Sequence, residues 1–173
     1  AGTGTGTTDA IIAIEGSDYV TFNGISLQEN PANLTTTTQM EWGYAILVKS
    51  STNGAQNVTI KNCTVSLTIA YTATKGIYVN HHTIANVTAG ATTPSGITSN
   101  LKIYSNTINN CYTGIFVQGT QDAVFPYTYF DQNNEIGKDG GNIITNVAGQ
   151  TTTPAVAGYG IYTIYQNNLK VAN

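Results

Sequence analysis

The chain has no arginine, and charge of either sign is scarce. All six of its basic residues are lysine. Charged side chains make up 9% of the sequence, against roughly 25% in an average soluble domain. Six Lys against nine Asp and Glu leave a net charge of −3, and no segment is basic. Nucleic-acid binding needs clustered Lys and Arg to displace counterions, so no nucleic-acid partner is expected. No apolar run approaches the ~20 residues of a membrane-spanning helix, so no membrane insertion is expected. Two cysteines, Cys63 and Cys111, are too few for a disulfide scaffold. Neither belongs to a CxxC or Cys/His cluster, so no zinc site and no cofactor is indicated. Long runs of like charge are also missing, which argues against a fully disordered chain.

What is present points to strands. There are 29 Thr and 19 Asn, and Thr, Ile, Val and Tyr favour extended backbone. One phrase recurs five times: "DAIIAI" from Asp9, "YAILV" from Tyr44, "KGIYV" from Lys75, "TGIFV" from Thr113 and "YGIYT" from Tyr159. Aligned, it places a small residue (Ala10, Ala45, Gly76, Gly114, Gly160) before an isoleucine (Ile11, Ile46, Ile77, Ile115, Ile161). A larger side chain follows at Ile12, Leu47, Tyr78, Phe116 and Tyr162. A second phrase follows each of these, with alternating apolar positions. Val20, Val58, Leu101 and Leu169 form one column. Phe22, Ile60, Ile103, Ile136 and Val171 form another, and Leu27, Val65, Ile108 and Ile144 a third. Alternation with a period of two marks half-buried strands. The isoleucines are spaced by 35, 31, 38 and 46 residues, with no 3.6-residue apolar stripe between them. A coil of strands stacked on itself satisfies this pattern, with equivalent side chains ~4.8 Å apart.

The stretch "NLKIYSNTINNCYTGIFV" resembles the repeat of right-handed parallel β-helix proteins of the pectate-lyase-like superfamily. Segments such as "NPANLTTTTQMEWGYAI" and "YGIYTIYQNNLKVAN" are similar to β-helix segments of large secreted or surface Bacteroidota proteins. The resemblance implies an all-β right-handed parallel β-helix (solenoid) of about five coils with long inserted loops. It also implies an inward-stacked Asn at a turn, a position held here by Asn106, with Cys63 and Ile25 in the same column. Cys111 lies five residues past that column, about 15 Å along an extended chain and beyond disulfide reach. Two free thiols follow. The insertions are expected at 28–42, 80–99, 118–132 and 147–157. Residues 1–8 read as linker-like, and 1–173 as one β-helix segment. The closing "QNNLKVAN" is the opening half of a second-strand phrase, which suggests a break in a longer solenoid.

The resemblance carries no catalytic set into this chain. Enzymes of the superfamily employ Arg together with Asp, or the strings "NTD", "DD", "GHG" and "RIK", and none of these has a counterpart here. Glycoside hydrolysis needs two carboxylates about 5–10 Å apart, and no two acids recur at matching columns. "DQNNEIGKDGGN" offers Asp131, Asn133, Glu135 and Asp139 as oxygen ligands for calcium, but its spacing is not that of an EF-hand, and a turn between strands is the simpler reading. The adjacent His81 and His82 read as loop residues, since alternation points them to opposite sides. Thr3 to Thr8 and Thr35 to Thr38 fall in loops, which argues against an ice-binding array. Sequons at Asn33, Asn57, Asn62 and Asn86 are expected by chance in so Asn- and Thr-rich a chain. Tyr78, Phe116 and Tyr162 would form an outward aromatic stripe. Its simpler reading is a packing ladder, and its functional one a platform for sugar rings. The leading expectation is therefore a non-catalytic structural or adhesive segment of a secreted or cell-surface protein. Its partners would be extracellular glycans or further copies or coils of the same protein. The alternatives are the body of a carbohydrate-active enzyme lacking its catalytic coils, or a glycan-binding module.

Overall fold

A computed structural model describes residues 4, 6, 8–69, 72–148 and 157–172. The chain repeats a short itinerary. The first pass lays down β1 (Ala10–Glu15), β2 (Thr21–Asn23) and β3 (Ser26–Gln28), and the second β4 (Trp42–Leu47), β5 (Thr59–Lys61) and β6 (Thr64–Ser66). The third gives β7 (Lys75–Asn80), β8 (Lys102–Tyr104) and β9 (Thr107–Asn109). A fourth contains β10 (Thr113–Gln118), β11 (Asp131–Gln132), β12 (Glu135–Ile136) and β13 (Ile143–Thr145). The last contains β14 (Ile161–Ile164), β15 (Gln166–Asn167) and β16 (Lys170–Val171). Equivalent strands of successive passes pair side by side. They make sheets ordered β1-β4-β7-β10-β14, β2-β5-β8-β12-β16 and β3-β6-β9-β13, with a small fourth sheet, β11-β15. All pairings between these strands are parallel. Among the described residues there is no α-helix, only a 3₁₀ turn at Pro94–Gly96.

Period-two alternation puts one set of side chains between the sheets. Phe22, Ile60, Ile103, Ile136 and Val171 are register partners, as are Leu27, Val65, Ile108 and Ile144. These are the columns expected from the second phrase. Ile60, Ile77, Ile103, Ile108 and Ile115 are fully buried, each removing enough apolar surface to contribute roughly 1.5–3 kcal/mol.

In the first phrase the register differs from the expected alignment at β1 and β4. Trp42 pairs with Lys75 and Tyr44 with Ile77, so Gly43, not Ala45, stands beside Gly76. The reason is steric. A Cβ at Gly43 would strike Val65, one at Gly76 Ile108, and one at Gly114 Ile144. These three obstacles are themselves stacked neighbours in the third sheet. At these three positions an added side chain would collide, but the column as a whole is not restricted to glycine: Ile11 stands in register with Gly43, and a Cβ at Gly160 would meet nothing within 4 Å. The larger column is corrected with it. Ala13 and Ala45, not Ile12 and Leu47, share the column of Tyr78, Phe116 and Tyr162. Ile12 belongs to the inward row of Tyr44 and Ile77, and Leu47 lies opposite Glu15 and Asn80.

The turns explain the asparagines. Asn57, Asn100, Asn133 and Asn168 all adopt positive φ near 55°. They occupy one column, shown by successive hydrogen bonds from the Asn57, Asn100 and Asn133 amides to Ser99, Gln132 and Asn167 carbonyls. Asn tolerates this left-handed backbone better than other residues with a side chain. At the inner turn Asn106 is buried. Its Oδ1 accepts the Cys63 amide (2.9 Å), and its Nδ2 donates to the Ile60 carbonyl (2.9 Å) and to Asn142 Oδ1 (3.0 Å). Asn142 donates in turn to the Ile103 carbonyl, so the ladder has a second rung that the sequence columns do not mark. Asn134 fills the gap in the Val20–Val58–Leu101–Leu169 column and bonds the Leu101 amide and Gln166.

Cys63 and Cys111 are buried and free. The oxygen-rich string at 131–142 is divided between two environments. Asp131 is buried, whereas Glu135 is paired with Lys138 (2.8 Å) and Lys170 (3.3 Å). Among the described residues no group of three or more potential ligands is arranged to hold a metal. The insertion at 28–42 is braced from within. Buried Glu29 accepts the Asn30 and Met40 amides, and Asn33 bonds Thr35, Thr38 and Gln39. Most of the 147–157 insertion, most of residues 1–8, and the Thr3, Thr5 and Thr7 of the first threonine run lie outside the described residues.

Candidate functional site

The outward face of the first sheet carries an aromatic stack. Tyr78 and Phe116 lie 5.4 Å apart, and Phe116 and Tyr162 4.9 Å apart, all near-parallel. Trp42 extends the stack on the other side, with its ring 4.1 Å from Tyr78. The Lys75 ammonium sits 5.3 Å from the Tyr78 ring centre and 5.5 Å from that of Phe116, within cation–π range. Burial lowers its pKa, an effect that Glu41 partly offsets. Trp42 and Tyr78 are buried, while Phe116 and Tyr162 are half-exposed. Part of the stripe is thus a packed ladder, and its Tyr162 end is open.

That open end forms the floor of a cleft of about 550 Å³. The floor comes from three adjacent strands, β7, β10 and β14. Tyr78 and Tyr162 supply rings, and Asn80 and Gln118 supply amides one outward position further along. The 80–99 insertion contributes one wall through His81, His82 and Asn86, and Tyr165 closes the other side. No described residue lining this cleft is Lys, Asp or Glu.

The wall is positioned by two hydrogen-bond chains from the paired histidines, which point in different directions. His82 Nδ1–H donates to the Thr83 carbonyl (2.8 Å), leaving Nε2 to accept the Tyr78 hydroxyl (3.0 Å). Asn80 donates to that same phenol oxygen (2.6 Å) and accepts the His81 amide. Burial raises the Tyr78 phenol pKa, and the Asn80 bond partly offsets this. His81 runs the opposite way. Its Nε2–H donates to Asp131 Oδ1 (2.7 Å), and its Nδ1 accepts the Thr120 hydroxyl (2.8 Å). Thr120 Oγ1 accepts the Ala91 amide (2.8 Å), and Asp131 Oδ1 accepts the Thr98 amide (2.9 Å). This relay ties His81, at the start of the 80–99 insertion, to both ends of the 118–132 insertion, and ties Thr98, near the other end of 80–99, to Asp131. Burial pushes the Asp131 carboxyl pKa up despite the His81 bond. Thr120, His81 and Asp131 are each buried, and the hydroxyl donates its proton to His81 and accepts the Ala91 amide on one of its two lone pairs. The relay is a positioning device for the cleft wall.

Tyr78, Phe116 and Tyr162 are brought together as a stack, and Tyr78 and Tyr162 also reach the cleft. Asp131, Glu135 and Asp139 are not brought into it. Trp42, Thr120 and the histidine networks were not foreseen from sequence. Thr120 and the His81 network depend on contacts between insertions, which have no period to read, while Trp42, on the neighbouring strand, and His82, just past β7, both meet Tyr78. No protein-family model, curated protein or solved structure matches this chain.

Proposed function

We propose that the chain is a right-handed parallel β-helical segment of a secreted or cell-surface protein, with a structural and adhesive role. Its adhesive element is the cleft, which holds carbohydrate. The parallel in-register sheets and stacked turn asparagines support the architectural half of this reading. The observation that carries the binding half is the floor. An open aromatic ring, Tyr162, lies beside amides of Asn80 and Gln118. Apolar sugar faces pack on rings, and sugar hydroxyls pair with side-chain amides that both donate and accept. The Gln118 side chain makes no hydrogen bond to another described residue, so its amide is available to a ligand. The lining also favours binding over turnover, because it offers no carboxylate pair for acid–base cleavage.

Glycan-array binding followed by calorimetry tests this. The chain should retain a subset of saccharides, and Tyr162→Ala or Gln118→Ala should weaken that binding about tenfold or more. Both positions are partly exposed, so the fold should survive. Binding unaffected by both substitutions would remove the cleft from consideration. Release of sugar products from the bound glycan would overturn the non-catalytic role.

A further inference from the structure

The 118–132 insertion exposes an apolar tip that the fold does not need. Phe125 is 81% exposed, Val124 72% and Tyr127 41%. Exposed apolar clusters of this kind mark interaction surfaces more often than accidents. The tip is also connected to the cleft. Phe125 meets Tyr127 edge-on at 5.9 Å, Tyr127 stacks on Phe130 at 5.0 Å, and Phe130 meets Tyr165 at 5.6 Å. Tyr165 is the cleft's far wall. A second aromatic track therefore leaves the cleft that the first one reaches and leads outward along the insertion. The insertion is braced internally, with Asp122 accepting the Val124 and Tyr129 amides and Gln132 donating to the Thr128 carbonyl.

Building on the carbohydrate reading of the cleft, we infer that the ligand is an uncharged oligosaccharide chain. One end sits on Tyr162 and Gln118, and the following sugars run over Tyr165 and Phe130 toward Tyr127 and Phe125. A single sugar would use the cleft alone and leave the track without purpose. An acidic polysaccharide would bring carboxylates to a cleft and a tip where no described lining residue is Lys. Residues 118–132 contain no Lys, and Asp122 is the acid nearest the tip. The same lack of Lys disfavours an anionic membrane as the occupant, since membrane-docking loops combine apolar tips with basic residues.

The test is calorimetry on the full chain with neutral oligosaccharides of increasing length, alongside oligogalacturonates and anionic phosphatidylserine vesicles. Affinity should rise with the number of sugars and then level off. Phe125→Ser and Tyr127→Ser should lower affinity for the longer chains about tenfold and leave the shortest bound saccharide unchanged. Phe125 is largely in solvent, so its removal should not unfold the protein. Affinity independent of length, an unchanged profile in both variants, equal binding of oligogalacturonates, or vesicle binding lost in Phe125→Ser would each overturn the inference. In the first two cases the cleft reading would still stand. If no saccharide of any length binds, both readings fall together.

Discussion

Asp131 shows how one buried side chain couples stability to solvent conditions. Its Oδ1 accepts from His81 and Thr98, while Oδ2 is buried and lacks a hydrogen-bond partner of good geometry. Gln166 lies close enough to favour the ionised form slightly, but burial dominates and raises the pKa above 3.8. A carboxyl that keeps its proton to higher pH when folded holds more protons folded than unfolded across that window. Stability contributed by this group is therefore full below 3.8 and declines as pH rises toward the folded-state value. Asp131→Asn keeps an oxygen for the two donors and removes the charge. We expect urea denaturation to show the variant at least as stable as the parent at neutral pH, with a flatter profile across the acid range. A variant strongly destabilised at neutral pH would mean that the ionised carboxylate is needed in the folded state. Asparagine acts differently at this scale, through backbone conformation. Where φ is positive it stands in for glycine, and where it is buried, as at Asn106, both ends of its amide are used.

At the level of elements, the glycine column of the first sheet decides register. Gly76 lies against Ile108 and the Gly114 carbonyl, whereas a Cβ at Gly160 would meet nothing within 4 Å. The two positions are equivalent in the repeated phrase and opposite in consequence. Gly76→Ala should cost about 1–3 kcal/mol through overpacking. Gly160→Ala should be neutral or stabilise by about 0.5 kcal/mol, because it restrains the unfolded chain. Paired chemical denaturation curves would settle the contrast, and equal effects would disprove the steric account. The insertions obey another rule. They have no common length or pattern, and polar contacts hold the first three: Glu29 and Asn33 in the first, His81 with Thr120 between the next two.

For the molecule as a whole, the exposed strand edges set the behaviour in solution. Among the described residues nothing pairs with the outer edges of β13, β14 and β16. Around them Ile143, Ile161 and Val171 are 61%, 39% and 54% exposed, and a cavity of about 430 Å³ opens between Ile136, Ile144, Ile161 and Val171. Unpaired backbone beside apolar side chains is a template for further strand pairing. The chain in the form described should self-associate as its concentration rises, as read by sedimentation velocity. Val171→Lys should shift it toward monomer without loss of fold, since this side chain is already half in solvent. A parent chain that stays monomeric at all accessible concentrations would contradict this.

Alternation and repetition in the sequence were enough to determine the all-β class and the inward columns of the second and third sheets. Those columns are local, strictly periodic and filled by similar side chains, so Phe22 to Val171 and Leu27 to Ile144 could be aligned by eye. They were also enough to bring Tyr78, Phe116 and Tyr162 into one stack. The register of β1 and β4 was beyond them, because Ala45 and Gly43 are both small, and only collision with Val65 separates them. The cleft was beyond them as well. His81 finds Asp131 fifty residues away through a contact between insertions, and Tyr165, in the turn between β14 and β15, finds Phe130 of an insertion; neither contact follows a period. Periodic burial is written along the chain, but the meeting of irregular loops exists only once the sheets have brought their ends together.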